Sequence, residues 1–171
     1  MPMKAFRHLV TGKIQKNAED SSIEIVILSG DRDMLQLVNE RVMVLTPVVG
    51  VKNTVLYDQV KVEEKYGITP GQIVDYKALV GDASDGYTGV AGVGPKTAAQ
   101  LLQTYQTLEG IYEHIGDINP KVGEKLAKGS EDAGLCKKLA TIVQDAPITM
   151  KIEECAFGRL DVSGLREAFA W

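Results

Sequence analysis

An α/β unit with a parallel sheet, followed by a helical subdomain punctuated by glycines, is the fold class this sequence predicts. Three observations carry that reading. The run Ile23 to Leu28 (IEIVIL) is nearly continuous, apolar and β-branched, as in a strand buried on both faces. Strand and helix patterns then alternate as far as Leu79, which favours a parallel sheet with helical crossovers. From Gly81 onward the pattern changes to short helical stretches separated by glycine-rich turns.

Taken in order, Ala5 to Asn17 puts Phe6, Leu9, Val10 and Ile14 on one face of a helix. A turn at Glu19 to Ser22 precedes the first strand, which ends at Ser29–Gly30 and delivers Asp31 and Asp33. Met34 to Val38 reads as a short helix, Val42 to Leu45 as a second strand and Thr54 to Tyr57 as a short extended segment. A helix over Gln59 to Tyr66 follows, then one over Gly71 to Leu79, opened by Pro70, whose missing N–H is no loss in a first turn. The second half predicts short helical segments over Gly81 to Gly94, Lys96 to Tyr105, Leu108 to Ile115, Pro120 to Gly129 and Ala133 to Val143. Ile148 to Ile152 returns as a strand and Val162 to Trp171 as a last helix. The expected division is residues 1–80 as the core, 81–147 as the helical subdomain and 148–171 as a segment returning to the core.

The 171 residues suffice for one domain with a small appendage, and 44% apolar with 25% charged content is ordinary for a soluble protein. No apolar run approaches the roughly 20 residues that span a bilayer, and the start lacks a signal-peptide layout. A cytoplasmic address with no membrane partner is the expectation. Cys136 and Cys155 form no CxxC pair and read as packing residues. The net charge of −4 argues mildly against nucleic acid as a partner, but a total averages over the surface, so distribution must decide.

Two acidic motifs carry the chemistry. Gly30–Asp31–Arg32–Asp33 stands at the carboxyl end of a buried strand, where open α/β sheets bind ligands. Gly81–Asp82–Ala83–Ser84–Asp85 places two carboxylates three apart, on one face if the segment is helical. Four oxygen donors with no nearby His or Cys suit Mg²⁺ or Mn²⁺ better than zinc. The plainer alternative makes Asp31 a helix cap and Asp82 and Asp85 turn residues.

A third motif runs from Gly89 through Gly92, Gly94, Pro95, Lys96 and Thr97. Pro95 breaks the P-loop spacing, and Thr97 stands where a dinucleotide fingerprint needs its last glycine. A turn between two helices fits better. Its glycines permit close backbone approach, and the free N–H groups of the next helix can take a DNA phosphate beside Lys96, with no base read. A tight helix–helix turn without a ligand is the alternative.

In this order and spacing GDRDMLQLV, GDASDGYTGVAGVGPKTAAQLL and KLATIVQDAPI resemble the polymerase-I-type 5′ nucleases and their flap endonuclease relatives. The resemblance covers roughly Val10 to Pro147. It implies a three-layer PIN-like core and a helix–hairpin–helix (helix–three-turn–helix) subdomain that grips duplex DNA, with K⁺ at its turn. It also implies Asp31, Asp33, Asp82 and Asp85 as metal ligands, and Gly89, Gly92, Gly94, Lys96 and Thr97 as the DNA clamp. Lys121, Lys125 and Lys128 resemble a second helical element on the DNA side; a solvated helix face is the other reading of those lysines.

The activity so implied is 5′-3′ exonuclease or flap endonuclease hydrolysis of phosphodiesters in duplex DNA with a 5′ flap or branch, during replication and repair. The rival reading is a non-catalytic DNA-binding module. Two departures bear on the choice. Gly86–Tyr87–Thr88 replaces the family's Asn-Ile-Pro, and Phe6–Arg7–His8–Leu9 stands where the family carries an acidic helix motif. The family's opening Asp-bearing strand and helical arch have no counterpart in the sequence. The expectation is a PIN-like core incomplete at its N-terminal side, inactive alone, whose partners include a separate N-terminal nuclease segment or a polymerase domain.

Overall fold

The computed structural model describes residues 23–49, 53–144 and 147. Sequence expectations for Ala5 to Asn17, Phe6 to Leu9, Ile148 to Ile152 and Val162 to Trp171, and that for Cys155, lie outside the described residues.

A three-stranded sheet in the order β1 (Ile25–Leu28), β2 (Val42–Val49), β3 (Asn53–Tyr57) opens the described chain. β1 and β2 run parallel, in the register Ile25 to Val42 and Ile27 to Val44. β3 joins β2 antiparallel, with Val44 opposite Tyr57. The sheet is therefore mixed, because the few residues between β2 and β3 are too short for a parallel crossover. The link between β1 and β2 is the 3₁₀ turn Arg32–Leu37, where the sequence predicted a helix over Met34 to Val38.

One face of the sheet is core. Ile27, Val42, Val44 and Tyr57 are buried with Met34, Leu35 and Leu37 beneath them. On the other face Val26 is 52% exposed and Leu28 70%, so among the described residues β1 is covered on one side only, not on both. An unbroken apolar run does not distinguish the two cases, since it offers an apolar side chain to either face.

Helices follow. α1 (Gln59–Tyr66) is capped by Asp58, which accepts from the Lys61 N–H at 2.7 Å, and it ends at Gly67 in the left-handed region. A 3₁₀ turn at Pro70–Gln72 runs into α2 (Ile73–Val80). The helical half consists of α3 (Pro95–Tyr105), α4 (Leu108–Glu113), α5 (Pro120–Lys128) and α6 (Ser130–Ala140). Leu101, Leu102, Ile111, Leu126, Ala133 and Cys136 turn inward and share one core with the sheet. Gly81 to Gly94, expected as a helical stretch, is instead a loop of successive turns between α2 and α3.

Three polar ties hold the halves together. Gln72 donates to the carbonyls of Leu102 and Gln106, at 2.9 and 2.8 Å, and so closes the end of α3. Gln36 donates to the Ala140 carbonyl at 2.9 Å and accepts from the Ile142 N–H at 3.0 Å, binding the turn after β1 to the end of α6. Buried Asp75 pairs with Lys137 at 2.7 Å, and Lys137 reaches Glu109 at the same distance, joining α2, α4 and α6.

The loop after α2 is closed by backbone contact at two glycines. Gly81 and Gly89 both have positive φ, and a Cβ on Gly89 would lie 2.4 Å from the Gly81 nitrogen and 2.6 Å from the Leu79 carbonyl oxygen. Val90 N–H donates to that carbonyl at 2.8 Å, sealing the base of the loop. A Gly89→Ala chain should lose about 2 kcal/mol or more in urea denaturation, from strain plus displaced backbone. Gly30→Ala, where an added Cβ meets nothing within 4 Å, should stay within about 0.5 kcal/mol of wild type.

Candidate metal centre and hairpin surface

Asp33 enters the site from the 3₁₀ turn that follows β1. Asp31 stands before it as the cap of that turn, its side-chain oxygen accepting from the Asp33 N–H at 3.0 Å. Asp82 and Asp85 enter from the glycine-closed loop. Asp82 N–H donates to the Tyr87 carbonyl at 2.9 Å, while Asp85 and Tyr87 N–H groups both donate back to the Asp82 carbonyl at 3.2 Å. This turn, and not a helical face, aims the two carboxylates the same way.

Asp33, Asp82 and Asp85 each offer a carboxylate oxygen within 4.8 Å of the others, and their burial grades from buried through half-buried to exposed. The structure thus brings together three of the four acidic residues singled out by sequence. Asp31 stays outside the trio. Among the described residues the trio contains no His or Cys, so the donor set is all oxygen and fits a hard divalent cation.

Sequence reasoning missed Lys77. It projects from α2 into the cluster, donating to Asp33 Oδ1 and, at 2.7 Å, to Asp82 Oδ2. Its signal was a lysine, two residues from Asp75, in a largely apolar helix (IVDYKALV) whose Ile73, Ala78 and Leu79 are all buried. Such a helix leaves a lysine little solvent to face, so the charge needs a partner. Tyr87 was missed as well. Its hydroxyl oxygen is buried without a hydrogen-bond partner among the described residues.

The electrostatics follow from this crowding. Burial and the Asp33 and Asp82 carboxylates act in opposite directions on Lys77, and the carboxylates prevail, raising it above the ordinary lysine value. Burial also opposes ionisation of Asp82, but hydrogen bonds from Lys77 and Ser84 outweigh it and hold that carboxyl at about 2. Asp33, deepest in the site, is raised, because burial and the neighbouring Asp31 and Asp85 charges exceed what Lys77 gives back. Burial and the surrounding carboxylates push the Tyr87 hydroxyl up to about 12, against Lys77.

The hairpin lies beyond the loop. Gly89 is buried as described, whereas Gly92, Gly94 and Lys96 are exposed and Thr97 is half-buried. Gly94 and Pro95 start α3, so its first N–H groups and Lys96 stand at the surface together. Lys121, Lys125 and Lys128 are exposed on α5 at spacings that share one face. Lys125 Nζ donates to the Gly92 carbonyl at 3.0 Å, which sets α5 against the turn.

A mixed sheet with an acidic centre at its carboxyl end, continuing into a compact helical unit with a glycine hairpin, is a PIN-like resolvase fold joined to a helical domain. The model of the 5′-3′ exonuclease N-terminal resolvase-like domain matches residues 10–67, and that of the 5′-3′ exonuclease C-terminal SAM fold matches residues 68–163. The chain belongs to the 5′-3′ exonuclease family.

Among relatives, DNA polymerase I of Caldicellulosiruptor bescii is 44% identical over 147 residues, covering 85% of this chain and 17% of the relative. DNA polymerase I of Bacillus subtilis is 40% identical over 144 residues, covering 84% and 16%. The chain thus spans about one-sixth of the length of these curated relatives. Of solved structures, a bacteriophage T5 flap endonuclease in a pseudo-enzyme-product complex with DNA and metal ions superposes with a TM-score of 0.67 at 18% identity. That match covers 78% of this chain and 48% of the phage protein. The catalytic core of Rad2 with a DNA substrate gives 0.52 at 14% identity, over 96% and 56%. At these identities the likeness establishes the fold.

The carboxyl values have a consequence for acid stability. Because Asp82 sits below its ordinary 3.8, its ionised form stabilises the fold fully above about pH 4, and that contribution is lost as pH falls toward 2. Asp33, being raised, acts in the opposite sense, since the fold gains from its protonation as pH falls. In metal-free buffer, Asp82→Asn should therefore show a shallower loss of stability between about pH 4 and 2 than wild type. Urea denaturation across a pH series provides the measurement.

Proposed function

We propose that this chain is the part of a structure-specific 5′-3′ exonuclease or flap endonuclease that holds a divalent cation, Mg²⁺ or Mn²⁺, and grips duplex DNA bearing a 5′ flap or branch. The observation that carries the reading is the convergence of Asp33, Asp82 and Asp85, from separate parts of the chain, on one point at the end of β1. A module that only gripped DNA would have no use for a gathered carboxylate trio, so the nuclease reading is favoured over the binding-module reading.

In this reading Asp33, Asp82 and Asp85 hold the cation, and Asp31 positions Asp33 by capping its turn. A divalent ion held there supplies a Lewis acid for the phosphodiester and a means of activating water. The chain's own contribution is placement. Lys96, the first N–H groups of α3, and Lys121, Lys125 and Lys128 take backbone phosphates, which fixes register without reading bases. Relatives named DNA polymerase I favour a polymerase domain as partner and cytoplasmic DNA replication and repair as the setting.

Mn²⁺ should raise the melting temperature of wild type by mass action. Asp82→Ala/Asp85→Ala should abolish that shift and the heat of Mn²⁺ binding in calorimetry; identical responses of the two chains would remove the shared site. On DNA, fluorescence anisotropy should show affinity independent of sequence and falling steeply with salt. Lys96→Ala should weaken all duplexes about equally and lower the salt slope by about one contact. A sequence-dependent loss, or none, would dismiss the hairpin as the phosphate surface.

A further inference from the structure

We propose that the Lys77 ammonium is the resident cation of the carboxylate cluster, occupying the position between Asp33 and Asp82 and giving it up when a divalent ion binds. The inference rests on the metal-site reading above. It adds a competitor, supplied by the chain itself, that sets how tightly the site holds its ion.

The geometry places one cation among three carboxylates. Lys77 donates to Asp33 and to Asp82, two of the three residues whose oxygens lie within 4.8 Å of one another. Those contacts use one carboxylate oxygen of each residue, and each oxygen has a limited set of lone pairs directed into the cluster. A divalent ion bound by the same residues draws on the same inward-facing oxygens, and its charge repels an ammonium at this range. The two cations therefore exclude one another from the shared position.

The fold provides both a tether and a refuge. Lys77 is anchored on buried α2, so its ammonium cannot leave the neighbourhood, but its four-carbon stem lets it move by rotamer change. Beside it lies a cleft of about 420 Å³ lined by Arg32, Tyr66, Tyr76, Gly81, Asp82 and Ser84. The ammonium moves there with its proton. Ser84 at the cleft wall, now bound to Asp82 at 2.5 Å, offers the displaced group a hydroxyl acceptor. In the ion-free chain the same lysine compensates carboxylates that would otherwise repel, so the loop arrives in its ion-ready form.

Lys77→Met removes the competitor and keeps the apolar stem. Calorimetric titration with Mn²⁺ should show binding at least about tenfold tighter than wild type, while the ion-free melting temperature falls. A lysine with a purely structural role would leave Mn²⁺ affinity unchanged or weaken it, so equal or weaker binding by a folded Lys77→Met chain overturns the proposal. Should that variant not fold, wild type decides alone. With ¹⁵N-labelled lysine side chains, the protected Lys77 ammonium resonance of the ion-free chain should shift and lose its protection on saturation with Mg²⁺. A resonance unchanged at saturation overturns the exchange. No heat of binding from either chain and no Mg²⁺ effect on any resonance would instead overturn the metal-site reading and this inference with it.

Discussion

Carboxylates gathered within 4.8 Å of one another cannot stand uncompensated. Two unit charges at that separation repel by roughly 3 kcal/mol at the effective dielectric of a protein surface. A fold stabilised by about 5–15 kcal/mol in total tolerates little of that. Much of the local structure answers this constraint. Lys77 brings the compensating charge from α2, Ser84 donates to Asp82 through its backbone N–H at 2.9 Å and through its hydroxyl, and Asp31 caps the turn that presents Asp33.

That compensation works only if α2, the end of β1 and the following loop keep their relative positions. Gly81 and Gly89 approach each other so closely that no side chain fits, which closes the loop holding Asp82 and Asp85. Gln36 ties the Asp33 turn to the end of α6, and the Asp75–Lys137–Glu109 network fixes α2 against the helical unit. The centre forms across the boundary between the two family domains, which falls between residues 67 and 68. Asp33 comes from one side, and Lys77, Asp82 and Asp85 from the other. A centre built this way requires both units to be docked before its charges can be balanced.

The hairpin surface obeys a different rule. Its lysines are exposed, and Lys125, bound to the Gly92 carbonyl, ties its helix to the turn. A net charge of −4 therefore coexists with a basic face, because the acids are spent on the centre, on helix caps and on other surfaces. In the proposed reading, this separation presents negative charge to a cation and positive charge to a polyanion.

Motif and element identity were legible in the sequence because both depend on local chemistry. The apolar run from Ile23 marked β1, and GDRD and GDASD marked the acidic centre. α1 and α3 fall within a residue of the expected bounds. What sequence could not decide was set by contacts between distant segments. The direction of β3 followed from a short link, and the exposed face of β1 from what packs beside it. The loop of turns over Gly81 to Gly94 arose because two glycine backbones meet, not from local helix preference. Asp31 reads like Asp33 along the chain, yet the turn makes it a cap and turns Asp33 inward. Lys77 reads as an ordinary helical lysine until α2 is buried and its ammonium meets Asp33 and Asp82. Charge type is a property of the residue, whereas charge balance belongs to the packed structure, since electrostatic partners are chosen by distance in space and not by position in the chain.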